Sequence, residues 1–165
     1  MRIAVLQCPS PSGDVERALS GARMALRAAS AAGAGVLVLP EVFLPGYNCA
    51  DPAAAAPDAA LLDALHEDAL AAGCALVIGH AERDGDAVYN SASALGTARA
   101  RYHKVQLYGP RERALYTPGD AYCTFDLGGL RAALLICYDI EFAPHIKVLA
   151  DQGVQLILCP TANMM

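Results

Sequence analysis

The feature that most constrains this chain is a set of three uninterrupted apolar runs, VLVLP at 36–40, LLIC at 134–137 and LILC at 156–159. A strand with one wet face alternates apolar and polar residues, so a run without alternation must be covered on both faces. Each run ends in a polar or reactive group, at Glu41, Cys137 and Thr161 respectively. Loops beyond the carboxyl ends of such strands are where open α/β sheets place their sites.

The segments between these runs alternate helix and strand signals. IAVLQC opens the chain as a short strand, PSPSGD supplies turn chemistry, and Asp14 stands as an N-cap before Val15, Leu19, Ala22, Leu26 and Ala29 at helical spacing. Gly33 and Gly35 stop that helix, and FLPGYNCADP at 43–52 reads as a loop. Pro57 fits the first turn of a second helix whose buried face would be Leu61, Leu62, Leu65 and Leu70, ending at Gly73. CALVIGHAE, AVYNSASALG and ARARYHKVQL predict three successive strands with turns at Asp84-Gly85 and Gly96, the first pair a hairpin. YGPRERALYTPGD at 108–120 has too little apolar periodicity for an element and reads as an ordered loop. YCTFDL and LRAALLICYD flank Gly128-Gly129 as a second hairpin-like pair, PHIKVLADQG predicts a third short helix, and VQLILCP a last, central strand. The expectation is one α/β unit over 1–165, with helices covering a sheet.

A chain of 165 residues can bury one sizeable core, and 55% hydrophobic against 18% charged residues describes a packed protein rather than a disordered one. A net charge of -5, without basic clusters, argues against nucleic acid or an anionic membrane as partner. No apolar run reaches the roughly 18 residues of a membrane span, and the expected location is the cytoplasm. The six cysteines, Cys8, Cys49, Cys74, Cys123, Cys137 and Cys159, show no C-x-x-C spacing, so neither a disulfide framework nor a zinc site is expected.

Spacing alone leaves the chemistry open. Glu41 suits a capping or salt-bridged carboxylate as well as a catalytic one, and Cys137 suits a core cysteine as well as a nucleophile shown at a strand-to-helix turn. Lys104 in RYHKVQLYG reads first as a solvated strand residue. A thiol serves acyl transfer only as thiolate, which needs a base for its proton and cations or N–H groups to hold negative charge. Glu41 and Lys104 are of the right types for those two tasks. His66, His80, His103 and His145 have no such relation to Cys137 and read as structural.

Taken together, LVLPEVFLPGYN at 37–48, YHKVQLYGPRERALYTPG at 102–119 and LLICYDIEFAP at 134–144 resemble the three signature blocks of the nitrilase, or carbon-nitrogen hydrolase, superfamily. ILCPTANMM is similar to the block that follows the nucleophile there. The resemblance implies an αββα sandwich with Glu41 as general base, Lys104 stabilising the tetrahedral intermediate and Cys137 as nucleophile. It further implies that Glu112 positions substrate and lysine, and that the Tyr138 backbone N–H faces the oxyanion. No metal and no organic cofactor is implied. FAP at 142–144 stands where the family commonly has FPE, moving the proline by one.

The family's domain continues beyond the PTANM-like block, so an incomplete sandwich is expected, the N-terminal portion of a carbon-nitrogen hydrolase domain. An uncovered apolar face in turn predicts poor solubility or a homo-oligomer. The implied activity is hydrolysis of a small amide through a Cys thioester, releasing ammonia. The alternatives are an N-carbamoyl amine as substrate, and a catalytically inactive homologue acting only as a subunit or binding partner.

Overall fold

A computed structural model describes residues 1–163, so that Met164 and Met165 of the PTANMM block lie outside the described residues. The first strand, β1 (Ile3–Val5), leads through a turn to α1 (Val15–Ala31), whose first turn is closed by the Arg17 N–H donating to Asp14 Oδ1 at 2.9 Å. Ala18, Leu19, Ala22, Leu26 and Ala29 form its buried stripe. After β2 (Val36–Val38) the chain loops to α2 (Ala59–Ala72), capped by Asp58, which accepts from the Leu61 N–H at 2.8 Å. Pro57 therefore precedes the cap rather than standing in the first turn. Leu65 and Ala69 are the residues α2 buries, whereas Leu70 is 44% exposed, because this helix shows the sheet a narrower face than its leucine pattern predicts.

Three strands follow, β3 (Ala75–Asp84), β4 (Ala87–Leu95) and β5 (Ala100–His103). They complete a five-stranded sheet in the order β1-β2-β3-β4-β5, parallel through β3 and antiparallel beyond it. The segment expected as a loop contains a helix, α3 (Gly109–Leu115), and the correction has a local cause. Seven residues are too few to display periodicity, but Pro110 suits a first helical turn and Glu112 reaches back to accept the Tyr108 N–H at 2.8 Å. The second hairpin is β6 (Thr124–Leu127) and β7 (Leu130–Leu134), followed by a 3-10 turn at Cys137–Glu141, then α4 (Ala143–Asp151) and β8 (Leu156–Leu158). In the second sheet, of order β6-β7-β8, β8 pairs parallel with β7 and, among the described residues, forms an edge rather than the centre expected of it.

The period-two alternation of β2 and β3 assigns the layers. Leu37, Leu39, Leu76 and Ile78 point to the core shared with α1 and α2. Val36, Val38, Ala75 and Val77 point the other way, in one cluster with Ala132 and Leu134 of the second sheet, Ile136 just beyond β7, and Leu149 of α4. Bulky leucines thus meet helices, while alanine and valine let the sheets approach. The result is the expected αββα order, helices outside and two sheets facing each other within.

Candidate active site

The site lies where the carboxyl ends of β2 and β7 and the exit of β5 converge. Backbone from Leu39 to Leu44 crosses over β3, with Leu39 N–H donating to Val77 O at 2.8 Å and Leu44 N–H to Gly79 O at 3.1 Å. A Cβ on Gly79 would meet Pro40 O and Val42 N at 2.5 Å and Glu41 Cα at 2.7 Å, so only glycine lets this crossing come so close. The crossing carries Glu41 inward to 1% exposure, and Val42 takes φ +42° to accommodate it.

Lys104 is fully buried, not the solvated strand residue that spacing suggested. It stands one residue past the end of β5, where its N–H donates to Asn90 O at 2.8 Å and its carbonyl accepts the Gly119 N–H at 2.8 Å. Its Nζ donates to Glu41 Oε1 at 2.6 Å and to Glu112 Oε1 at 2.9 Å, with Glu112 Oε2 at 2.8 Å. Glu112 is itself buried in the first turn of α3 and accepts from the Tyr47 hydroxyl at 2.7 Å. One ammonium is thus shared by two buried carboxylates.

That sharing explains the electrostatics. Burial pushes the Glu41 carboxyl above its ordinary value, and the Glu112 charge adds to the rise, against the pull of Lys104 and an Asn90 hydrogen bond. Burial alone would lower the Lys104 ammonium, but Glu41 and Glu112 outweigh it and raise its pKa.

Cys137 opens the 3-10 turn with φ +45°, a strained backbone for a non-glycine residue. Its N–H donates to Pro160 O at 2.9 Å, tying the turn to the segment after β8. The Glu41 carboxylate and the Ala162 N–H lie against the thiol, and burial followed by the Glu41 charge pushes its pKa up to about 12. Tyr138 follows, its ring edge-on to Tyr108 at 5.1 Å and to Phe142 at 4.9 Å.

The structure therefore brings Glu41, Lys104, Glu112 and Cys137 together, with Tyr138 adjoining. The four histidines lie elsewhere: His80 bonds Ser93, His103 bonds Glu82, His66 accepts the Gly96 N–H, and His145 meets Tyr122. Sequence reasoning missed Asn90, Tyr47 and Asp139. Asp139 is buried, accepting from Gln106 N–H at 2.7 Å, Tyr102 hydroxyl at 2.9 Å and Ile136 N–H at 3.0 Å, and so clamps the turn after Lys104 to the strand end before Cys137. Its place two residues after the cysteine was the available signal. Asn90 and Tyr47 sit in unremarkable strand and loop contexts that carried none.

A cleft of about 390 Å³ reaches Glu41 between Cys8–Pro11, Phe43, Tyr47 and the Cys159–Asn163 segment. Cys137 and Lys104 are not in its walls, so the cluster of side chains rather than the void locates the chemistry. Among the described residues, no three His, Cys, Asp or Glu side chains are grouped to hold a metal ion, all six cysteines are free, and no helix is long and apolar enough to cross a membrane.

Fold and cluster define an αββα sandwich protein whose reactive groups are one thiol, two carboxylates and one ammonium. The comparisons narrow this class. The sequence pattern of the carbon-nitrogen hydrolases matches residues 2–165, and the chain belongs to that family. A hydrolase encoded in the pqqF 5' region of Pseudomonas protegens is 39% identical over 99% of this chain and 60% of its own length. An (R)-stereoselective amidase of Pseudomonas sp. is 33% identical, over 99% and 61%. In structure, an amidase of Nesterenkonia sp. AN1 superposes with a TM-score of 0.86 at 33% identity, covering all of this chain and 66% of that one. Structures of mutants of that amidase show the acetamide moiety of fluoroacetamide added covalently at the active site cysteine, and a complex with butyramide. The chain spans about 60–66% of the length of these relatives.

Proposed function

We propose that this chain carries the catalytic groups of an amidase that hydrolyses a small aliphatic amide through a thioester on Cys137. The observation that carries the reading is the convergence of one buried ammonium, shared between Glu41 and Glu112, with a thiol facing Glu41. The butyramide complex and the fluoroacetamide-derived adduct of mutants of the Nesterenkonia amidase support the substrate class.

The thiol is neutral at rest, because its raised pKa keeps the proton on sulfur. Glu41 takes that proton as sulfur attacks the amide carbonyl, forming the C–S bond. The carbonyl electron pair moves to oxygen, where the Lys104 ammonium and the Tyr138 N–H offset the charge. Collapse breaks the C–N bond, and Glu41 returns the proton to nitrogen, so that ammonia leaves. Water then adds to the thioester, losing its proton to Glu41; the C–S bond breaks, the acid departs and the thiol is restored. Glu112 holds Lys104 from the far side and, in this reading, positions substrate through it.

Ammonia release from acetamide, butyramide and N-carbamoyl amines, by the protein and by Cys137→Ala, tests the reading. Release from the amides that vanishes in the variant is expected. Carbon dioxide accompanying ammonia would move the substrate to the carbamoyl class, release retained by the variant would overturn the mechanism, and no release from the wild type would favour an inactive homologue.

A further inference from the structure

Glu41 is loaded asymmetrically. Its Oε1 accepts two donors, Lys104 Nζ at 2.6 Å and Asn90 Nδ2 at 2.8 Å. Among the described residues, its Oε2 accepts the backbone N–H of Ala162, at 3.1 Å. The Cys137 N–H donates to Pro160 O at 2.9 Å, two residues before Ala162, which puts the turn bearing the thiol on the Oε2 side of the carboxylate.

Asn90 is fully buried in the middle of β4, and its two ends serve the cluster differently. Its backbone carbonyl accepts the Lys104 N–H, while its side-chain N–H reaches Glu41. The amide oxygen Oδ1 is buried without a partner among the described residues. A buried amide kept for structure alone would satisfy its acceptor as well as its donor. Among the described residues its one polar side-chain partner is Glu41.

We propose that Asn90 is a positioning residue for the general base, filling the remaining lone pair of Glu41 Oε1 so that the thiol proton is taken on Oε2. This rests on the reading of Glu41 as the base. With Asn90 and Lys104 both on Oε1, the carboxyl cannot turn that oxygen toward sulfur without breaking two hydrogen bonds. The same donor favours the ionised form of a carboxylate that burial and the neighbouring Glu112 charge push toward protonation.

The test is the acid limb of kcat/KM for butyramide in the wild type, in Asn90→Leu and in Asn90→Ala. The second variant removes the donor without adding bulk or charge and serves where leucine does not fold. Removing the donor raises the acid limb by about one pH unit, so activity falls roughly tenfold more at the acid end of the profile than at its plateau. Ser91→Ala, the next residue on the same strand, keeps the wild-type limb. The pH dependence of Cys137 alkylation by iodoacetamide, followed by mass spectrometry, shows the same displacement without any turnover. A folded Asn90 variant whose acid limb coincides with the wild type in both measurements overturns the proposal, even if its melting temperature has dropped. Absence of Cys137-dependent hydrolysis alongside a displaced alkylation limb would instead count against the amidase reading while leaving Asn90's role standing.

Discussion

Gly79→Ala is the perturbation that best separates packing from chemistry, because Gly79 bears no functional group. The added methyl carbon meets three backbone atoms at 2.5–2.7 Å, two from the residues flanking Glu41 and the third its own Cα. Backbone cannot swing away as a side-chain tip can, so the crossing from Pro40 to Val42 must lift by about 0.9 Å to reach ordinary contact at 3.4 Å. Overpacking of this kind costs about 1–3 kcal/mol, which for a chain of this size lowers the melting temperature by about 2–12 °C. The lift also moves the Glu41 carboxylate away from Lys104 and the thiol, and a displacement near 1 Å costs on the order of a hundredfold in rate. Thermal unfolding followed by near-ultraviolet circular dichroism, together with butyramide hydrolysis, reads both effects. Gly85→Ala is the control: Gly85 has φ +58° with open space around its Cβ, so it incurs backbone strain and leaves hydrolysis at the wild-type rate. A Gly79→Ala protein with wild-type melting and hydrolysis would refute the argument that this glycine sets the position of Glu41.

Lys104→Met leaves Glu41 and Glu112 buried without their cation and is expected to cost about 3–5 kcal/mol in urea unfolding at pH 7. That deficit shrinks as the pH falls and the carboxylates take up protons, and a pH-independent deficit would contradict the shared-ammonium geometry. Glu82 tests a part of the sheet remote from the thiol. Burial opposes its ionisation, but the hydrogen bond from His103 at 3.1 Å and the paired Arg101 charge outweigh it and hold its carboxyl near 2. Its folded-state pKa lies below the unfolded value, so its contribution is present above about pH 4.5 and is lost as the pH falls toward 2. Glu82→Gln should therefore lower the urea midpoint at pH 7 and match the wild type near pH 2; an equal deficit at both would show that the ion pairs contribute nothing.

The order of strands and helices was legible because it rests on local chemistry. The Asp14 cap, the Gly73 stop, the Gly85 turn and the unalternating 36–40 run each act within a few residues, and each stands in the structure where the residues predicted it. Glu41, Cys137 and Lys104 were singled out from spacing and resemblance, yet spacing argued that Lys104 was solvated. Its burial depends on Glu41, 63 positions away, and on the helix α3 that brings Glu112 to its other side. That helix escaped notice because seven residues offer no period and its stabilising contacts are a proline and a reach-back hydrogen bond. Asn90, Tyr47 and the close approach at Gly79 escaped for the same reason: their partners are 49, 65 and about 40 residues distant. What the sequence by itself determined is therefore which segments form strands and helices and which residue types stand at the strand ends. Only the tertiary structure decided which charges are buried together, since the cost of removing a carboxylate from water is set by neighbours that the folded chain alone brings within 3 Å.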